Sequence, residues 1–301
     1  MTPVTPVTPA ITLAYEIVDV FTERAFAGNP LAVVLDADGL ASDQLQALAR
    51  EFNLSETAFP LKAPDGATYG LRIFTPVTEL PFAGHPSVGA AWVLHQRGRI
   101  EAGTNVQACG AGLLPVEVTS SGATLTGGAS SFGEVLDAAT VASSVGLPAE
   151  AVLAPPRFAG CGIDFAYLVV DAAAVAAAVP QPAAILALGG TGVSVVAWDG
   201  SVARCRVFPG GVGVPEDPAT GSAALGLGVF LAASGLLSDG EHDYTVEQGH
   251  EMGRPSTLRC TVSVVSGRAF TATVSGEVIP IARGEIRAPE PVPPAESGRR
   301  L

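Results

Sequence analysis

Two copies of one segment dominate this sequence. The first copy, RIFTPVTELPFAGHPSVGAAWVL, spans residues 72–94, and the second, RVFPGGVGVPEDPATGSAALGLGVFL, spans residues 206–231. In each copy a strand-like Arg-apolar-Phe run leads through a loop rich in Gly and Pro into a long apolar run, which predicts a loop that delivers a buried helix. Matched at Pro86 and Pro218, the copies lie about 132 residues apart, far more than the roughly 20 to 50 residues of a solenoid repeat. The sequence therefore predicts two duplicated domains.

The two predicted helices differ at a position that matters for chemistry. Both are predicted to start at a proline, over about 86–96 and 218–233, and both are apolar enough to be core helices enclosed by sheet. The residue before the proline is His85 in the first copy and Asp217 in the second. A pseudo-symmetric pair of domains is therefore expected to face different chemistry from its two sides.

The domain boundary is predicted in TGGASSFGE, residues 126–134, which is the most linker-like stretch in the middle of the chain. This choice gives an N-terminal domain over 13–127 and a C-terminal domain over 128–269, with the option that a last strand near 270–287 returns to the first domain. The Pro-rich ends, 1–12 and 288–301, are predicted to be disordered.

Composition favours a small-molecule partner in the cytoplasm. The 301 residues are 48% hydrophobic and carry a net charge of -13 without an extended Lys/Arg cluster, which argues against nucleic acid and anionic membranes as partners. The longest apolar stretch, 222–237, is about 16 residues long, short of the roughly 20 that a membrane helix needs. The N-terminus lacks the basic and apolar regions of a signal peptide, so no export is predicted.

Motifs for metals and cofactors are not found in the sequence. The four cysteines show no CxxC spacing and are predicted to be reduced and mostly buried, and the four histidines form no HxH or HxxxH pair, so no metal site is predicted. The GCGID run at 160–164 lacks the longer glycine pattern of a dinucleotide site, and no GKS or GKT phosphate loop occurs. We therefore expect no cofactor.

The starts of the two predicted helices are candidates for anion binding, because a helix N-terminus offers unpaired N–H groups and a partial positive charge. Gly84 and Gly221 would allow close backbone approach, and hydroxyl groups could add donors. The alternative is that the polar side chains here only cap their helices. The candidate hydroxyl donors are Ser87, Thr220 and Ser222, and the candidate caps are Asp217 and Ser87.

Three residues are candidates for proton transfer. Glu56 lies in NLSETAFP among apolar neighbours, which would raise its pKa and suit it to accept and donate protons near pH 7. His85 titrates in the right range and is followed by a proline that fixes its backbone. Asp217 occupies the matching position. The alternatives are a surface glutamate and a structural histidine.

The motifs together resemble one known family. They are VDVFTERAFAGNPLAVV (18–34), NLSETAF (53–59), the GHP and EDPATGSA motifs of the two copies, and VEQGHEMGRPS (246–256). This set is similar to the PhzF-type phenazine biosynthesis isomerases, over nearly the whole chain between the two tails. The resemblance implies an α+β protein of the diaminopimelate epimerase-like fold, with two pseudo-symmetric domains, each a curved, mostly antiparallel sheet around a central helix. The active site would lie between the domains.

The resemblance also implies a chemistry. The founding activity of the family is the cofactor-free isomerisation of trans-2,3-dihydro-3-hydroxyanthranilate, and family members are commonly homodimers. Neither motif loop holds a cysteine, so a two-thiol racemase mechanism is not expected. The residues it assigns to the site are Glu56 as general acid/base, His85 and Asp217 as groups that bind or relay protons, Ser222 as a further side chain, and Gly84 and Gly221 as backbone beside the substrate.

Two other functions stay open at this point. An epimerase or racemase of an amino or hydroxy acid would need acid/base groups on opposite faces of the substrate, for which His85 and Asp217 are the candidates. A catalytically silent protein that binds an anionic metabolite would keep the cleft without turnover. The leading hypothesis is an isomerase that moves a proton on a small carboxylated, possibly cyclic, substrate.

Overall fold

The computed structural model describes residues 11–211 and 213–291. The strands are β1 (Thr12–Val20), β2 (Asn29–Val34), β3 (Glu56–Leu61), β4 (Tyr69–Phe74), β5 (Glu79–Leu80), β6 (Gly103–Cys109), β7 (Gly112–Val118), β8 (Gly122–Thr126), β9 (Ser130–Val135), β10 (Arg157–Cys161), β11 (Asp164–Val169), β12 (Gly192–Trp198), β13 (Val202–Pro209), β14 (Gly240–Gln248), β15 (Ser256–Val265) and β16 (Arg268–Arg287). The helices are α1 (Ser42–Phe52), α2 (Gly84–Gln96), α3 (Ala138–Ser144), α4 (Ala172–Ala177), α5 (Pro182–Leu188) and α6 (Gly221–Ala233), with a 3₁₀ turn at Ala149–Ala151.

One long strand, β16, joins the two halves of a single sheet. The first half runs in the order β1-β2-β3-β4-β6-β7-β8-β16, and β1 also pairs with β16, so these strands form a closed ring around α2. The second half continues β16-β15-β14-β13-β12-β11-β10-β9 around α6. Most pairs are antiparallel, and this arrangement confirms the predicted α+β class with a central helix in each half.

The two central helices are buried on all sides. Every residue from Gly84 to Leu94 of α2 and from Gly221 to Ala232 of α6 is buried, as their uniformly apolar sequences predict. Small residues let the surrounding strands come close: the Tyr244 hydroxyl donates to the carbonyl of Ala224 at 2.7 Å, and a Cβ added to Gly228 would lie 2.7 Å from that hydroxyl. The strands therefore contact the helix backbone directly.

Neither central helix starts at its proline, so that prediction is wrong. Helix α2 begins before Pro86, at Gly84, because the N–H groups of a first turn have no intrahelical partner and proline loses nothing there. Helix α6 begins after Pro218, at Gly221, because the N–H of Asp217 donates to Val207 and holds this segment extended.

The backbone also corrects the alignment of the two copies. In the first copy Ile73 of β4 pairs with Leu80 of β5, and in the second Val207 of β13 forms an isolated bridge with Asp217. Each pair lies just after the Arg of its Arg-apolar-Phe strand, and each is followed by a proline. Leu80 is therefore the counterpart of Asp217.

In this register ELPFAG matches EDPATG, and both central helices are 13 residues long and begin at the final glycine. Pro218 matches Pro81, so the predicted match with Pro86 is wrong. The error arose because both prolines precede a helical apolar run. His85, the second residue of α2, corresponds to Ser222, the second residue of α6.

Other predictions fare differently. The linker-like stretch contains strand β9, which pairs with β10 and is mostly exposed, so its polar composition resembles that of a linker.

All four thiols are free and three are buried, as predicted. The boundary between residues 127 and 128 stays a prediction, and the predicted tails lie largely outside the described residues. No helix within 11–211 and 213–291 is long and apolar enough to cross a membrane.

Candidate active site

The N-termini of α2 and α6 meet at the centre of the molecule. A Cβ added to Gly84 would lie 2.6 Å from the Cα of Gly221 and 2.7 Å from the backbone nitrogen of Ser222. Only glycine permits this approach, which brings together the two positions predicted from the sequence. The positive ends of two helices are therefore concentrated at one point.

A cavity of about 30 Å³ adjoins this meeting point. Both halves contribute to its wall, and none of the lining residues is Lys or Arg. A groove of about 580 Å³ meets the cavity, with Ile163 and Thr191 in both walls. The cavity is lined by Ser55, Glu56, Leu80, Ala83, Ile163, Phe165, Thr191, Pro209, Val214, Asp217, Thr220 and Ser222.

Glu56, the first residue of β3, places a carboxylate at this cavity. Its Oε2 atom is buried, has no hydrogen-bond partner among the described residues, and lies 3.6 Å from Nδ1 of His85. Burial, and after it the carboxylate of Asp217, raise the pKa of Glu56 from 4.5 to about 8. Such a group can accept and donate a proton near neutral pH.

His85 is 2% exposed and uncharged at neutral pH, because burial lowers its pKa to about 3. Its Nδ1 lies 3.1 Å from the side-chain nitrogen of Asn29. Its Nε2 is buried and has no partner in the part of the chain that the structure describes. The ring therefore has one nitrogen held by the protein and one free.

Both carboxylate oxygens and the backbone carbonyl of Asp217 accept hydrogen bonds. Its Oδ1 accepts from Asn29 at 2.8 Å, its Oδ2 accepts from the hydroxyl of Thr220 at 2.5 Å, and its carbonyl accepts from Gln248 at 2.7 Å. Burial raises the pKa of Asp217 to about 6, while the hydrogen bonds from Thr220 and Asn29 oppose that rise. Asp217 differs from Glu56 in having no free carboxylate oxygen.

The two candidate serines lie in different surroundings. The Ser87 hydroxyl is buried, donates to the carbonyl of Ala83 at 2.8 Å, accepts from Gln107 at 2.9 Å, and does not line the cavity. Ser222 does line it. The capping alternative is wrong for Asp217 and Ser87, because the N-cap residues are Ala83 and Thr220.

Strand pairing identifies the counterpart of Glu56. Phe74 and Phe208 are equivalent residues of the two Arg-apolar-Phe strands, and they pair with Thr57 and Val193. The residues before these two positions are Glu56 and Gly192. The general base predicted in the first half thus corresponds to a glycine in the second.

The neighbouring strands extend this correspondence. Ala32 of β2 pairs with Thr57, and Ala166 of β11 pairs with Val193. Three residues before each of these positions lie Asn29, the first residue of β2, and Ile163, the residue just before β11. At this position too, a polar residue of the first half corresponds to an apolar residue of the second.

Sequence reasoning missed several residues of the site. Asn29 is fully buried and contacts both His85 and Asp217, although its only signal was the position of GNP in a family-like motif. Ile163 was noted only within a run that lacks a dinucleotide pattern. Ser55 and Thr191, which lie before the two equivalent strands β3 and β12, both line the cavity.

The fold agrees with comparisons to known proteins. A model of the phenazine biosynthesis-like protein family matches residues 18–284. The trans-2,3-dihydro-3-hydroxyanthranilate isomerase of Pseudomonas chlororaphis is 33% identical over 286 residues, which cover 90% of this chain and 98% of the relative.

Two solved structures support the fold. A PhzF-family phenazine biosynthesis protein from Bacillus anthracis superposes with a TM-score of 0.82 at 24% identity, covering 92% of this chain and 99% of its own. A hydroxyproline epimerase from Agrobacterium vitis superposes with a TM-score of 0.63 at 16% identity, covering 93% and 94%. These superpositions confirm the predicted epimerase-like α+β fold. The family match and the identity to the Pseudomonas chlororaphis isomerase show that the chain belongs to the phenazine biosynthesis-like protein family, the PhzF-type isomerases.

Proposed function

We propose that this protein is a cofactor-independent isomerase that moves a proton on a small carboxylated substrate, with Glu56 as general acid and base. The observation that carries the proposal is the asymmetry of the cleft. Glu56 has a buried, unpartnered carboxylate oxygen, and its counterpart in the other half is Gly192. One face of the site therefore supplies the proton-transfer group.

This asymmetry favours an isomerase over an epimerase or racemase with two bases. Inversion of a stereocentre by two bases needs one acid/base group on each face of the substrate. Asp217 is the other ionisable residue at the cavity, and its two carboxylate oxygens accept hydrogen bonds from Asn29 and Thr220. Glu56 is the better acid/base, and a single base returns a proton to the face from which it took it.

The proposed reaction keeps atoms and charge in balance. The ionised Glu56 oxygen takes a proton from a substrate carbon, and the electrons of the C–H bond move into the conjugated system. The protonated carboxyl, which can exchange its proton with solvent, then protonates another carbon on that face. The resulting enol becomes a ketone when its hydroxyl proton passes to water and water delivers a proton to the enol carbon. A pKa of about 8 suits both halves of this cycle near neutral pH.

The substrate carboxylate is proposed to bind at the paired helix ends. The cavity wall contains no Lys or Arg, so the donors available are the first-turn N–H groups of α2 and α6 and the hydroxyls of Thr191 and Ser222. A cavity of about 30 Å³ has the volume of roughly one water molecule in the liquid. A ring-sized substrate must therefore widen the cleft, and the groove beside Ile163 and Thr191 is the proposed entrance.

The test is proton NMR of trans-2,3-dihydro-3-hydroxyanthranilate in deuterated buffer. The wild-type protein is expected to convert the compound with deuterium uptake at carbon, and Glu56→Gln is expected to slow conversion by about 10²- to 10⁴-fold while still binding. Glu51→Gln, an exposed glutamate on α1, is the matched control and should behave as wild type. Conversion by Glu56→Gln at the wild-type rate would exclude Glu56 as the base.

Other outcomes select the alternatives. Deuterium uptake at a stereocentre with inversion would favour an epimerase, and affinity without any exchange would favour a silent binding protein. If wild type leaves this compound unchanged, a screen of small carboxylates for Glu56-dependent deuterium uptake would identify the substrate. The homodimer and the cytoplasmic location stay predictions, the former testable by light scattering.

A further inference from the structure

We propose that Asn29 is a positioning residue that holds His85 in one neutral tautomer, with the proton on Nε2, and so keeps Glu56 free to act as a base. The kinetic part of this inference rests on the proposed function. The tautomer itself does not, and can be measured on the protein alone.

Asn29 is the most connected polar side chain of the site. It is 0% exposed, and its side-chain nitrogen lies 2.8 Å from Oδ1 of Asp217, 2.9 Å from the carbonyl of Ala219 and 3.1 Å from Nδ1 of His85. Its side-chain oxygen accepts from the hydroxyl of Ser55 at 2.9 Å. These contacts link the first half of the molecule to the second.

These partners fix the orientation of the amide. A carboxylate oxygen and a carbonyl can only accept hydrogen bonds, so the amide group that faces Asp217 and Ala219 must be NH₂. The hydroxyl of Ser55 then donates to the amide oxygen. The orientation is thus assigned from acceptors that do not involve His85.

The amide orientation determines the state of the imidazole. The two hydrogens of the NH₂ group are shared among Asp217, Ala219 and His85. Because the group cannot accept a hydrogen bond, Nδ1 of His85 presents a lone pair to Asn29 and the neutral ring carries its proton on Nε2. This nitrogen is buried and has no partner among the described residues. A donor of this kind is suited to a polar oxygen of a substrate.

The other tautomer would disable the base. Oε2 of Glu56 lies 3.6 Å from Nδ1 of His85, and a proton on Nδ1 would be drawn into a hydrogen bond with that oxygen. A carboxylate stabilised in this way is a weaker base. Asn29 prevents this bond by donating to Nδ1. An apolar side chain such as that of Ile163, its counterpart in the second half, has no donor and could not do so.

The experiment is ¹⁵N–¹H NMR of histidine-labelled protein, with the His85 signals assigned by their loss in His85→Asn. In wild type we expect a protonated Nε2 and an unprotonated Nδ1 at neutral pH. In Asn29→Leu, which has a similar volume and no polar side-chain atom, we expect the proton on Nδ1, bonded to Glu56. A protonated Nδ1 in wild type would overturn the proposal, and this arm stands even if Asn29→Leu fails to fold.

The control is Asn105→Leu. Asn105 is also buried and donates to two backbone carbonyls, those of Glu101 and Gly103, but neither of these contacts is with His85, Glu56 or Asp217. It should match the packing cost of the Asn29 substitution and leave the His85 spectrum unchanged. An unaltered tautomer in folded Asn29→Leu would show that Asn29 is merely structural.

The kinetic arm uses deuterium uptake into trans-2,3-dihydro-3-hydroxyanthranilate. Asn29→Leu is expected to lower kcat by about 100-fold, leave KM within about threefold, and shift to lower pH the acidic limb of the pH profile, which reports the ionisation of Glu56. An unchanged kcat would overturn the proposed role. No turnover by wild type would count against the proposed substrate instead, and the NMR result would still decide the tautomer.

Discussion

Each copy of the duplicated segment contains a clamp, which is an arginine that lies against a phenylalanine ring and binds a glutamate. The surroundings of the two clamps differ. In the first copy the guanidinium of Arg72 lies 5.0 Å from the centre of the Phe74 ring and makes two hydrogen bonds to Glu79. In the second copy Arg206 lies 4.9 Å from the ring of Phe208 and binds Glu216 in the same way. The clamp fixes the loop that leads to each helix.

The difference between the clamps is burial. The side chains of Arg72 and Glu79 are 28% and 41% exposed, whereas those of Arg206 and Glu216 are 9% and 15% exposed. Arg206 also donates to backbone carbonyls at the end of α4, the nearest being that of Ala178 at 2.7 Å. The two clamps therefore share a geometry, and the more buried one, in the second half, is expected to contribute more to stability.

The largest expected difference between the two clamps is the loss of stability when the glutamate of each is removed. Glu216→Ala leaves a buried guanidinium without its carboxylate, and is expected to lower the free energy of unfolding by about 3 kcal/mol. Glu79→Ala removes a pair that water screens, and is expected to cost about 1 kcal/mol or less. Urea denaturation of the two variants measures both numbers.

Equal losses in the two variants would show that burial does not separate the clamps. Arg204 and Glu251 provide a control outside the duplicated segment, because their ion pair of 2.7 Å also involves partly exposed side chains. Glu251→Ala should resemble Glu79→Ala.

The sequence was sufficient for features that are local or repeated. The duplication predicted the two buried central helices, and the motifs predicted that Gly84 and Gly221 lie beside one site, although not that the two glycines contact each other. The family-like motifs brought Glu56, His85 and Asp217 into one hypothesis, and these three side chains do lie together. Each prediction depended on motifs that are visible in the sequence without knowing which segments contact each other.

The rest depended on contacts between segments. Asn29 and Asp217 are joined only by the fold, and nothing near Asn29 in the chain marks it as a partner of the second half. The alignment failed because proline can lie inside a first turn as well as before it, so Pro86 was a false match for Pro218. Strand β9 was missed because an exposed edge strand has the composition of a loop.

Glu56 should make stability depend on pH, whereas its counterpart in the second half, Gly192, has no side chain that titrates. Glu56 keeps its proton up to a pKa of about 8 in the folded protein but loses it near 4.5 when unfolded, so the folded state binds more protons between these values. Stability should therefore fall as pH rises through this window, by up to about 1.4 kcal/mol per pH unit for this one group. Glu56→Gln should remove that slope.

Other groups restrict where the slope is seen. His85 protonates near 6.5 when unfolded but only near 3 when folded, so below pH 6.5 it opposes Glu56. Asp217, with a folded pKa of about 6, acts in the same direction as Glu56 at lower pH. Urea denaturation from pH 6.5 to 8 isolates Glu56, and a wild-type slope equal to that of Glu56→Gln would show that the carboxyl is not destabilised by burial.

The smallest expected effect separates the two serines that the sequence placed together. Ser87→Ala leaves the side-chain nitrogen of Gln107 without its acceptor inside the core, and should lower the free energy of unfolding by about 1 to 2 kcal/mol. Ser222→Ala removes a hydroxyl that lines the cavity, and should change stability by less than about 0.5 kcal/mol. Its expected effect is a KM for the substrate raised by about 3- to 10-fold, from one lost hydrogen bond.

Parallel urea denaturation and deuterium-uptake kinetics on both variants measure this pair. The reverse pattern, with a stable Ser87→Ala that binds poorly and an unstable Ser222→Ala, would mean that the two helix starts exchange the roles described above. The expected pattern would assign the hydroxyl of the first helix to the fold and that of the second to the substrate. The first half would then supply the base, and the second half would supply the side-chain donor beside the paired helix ends.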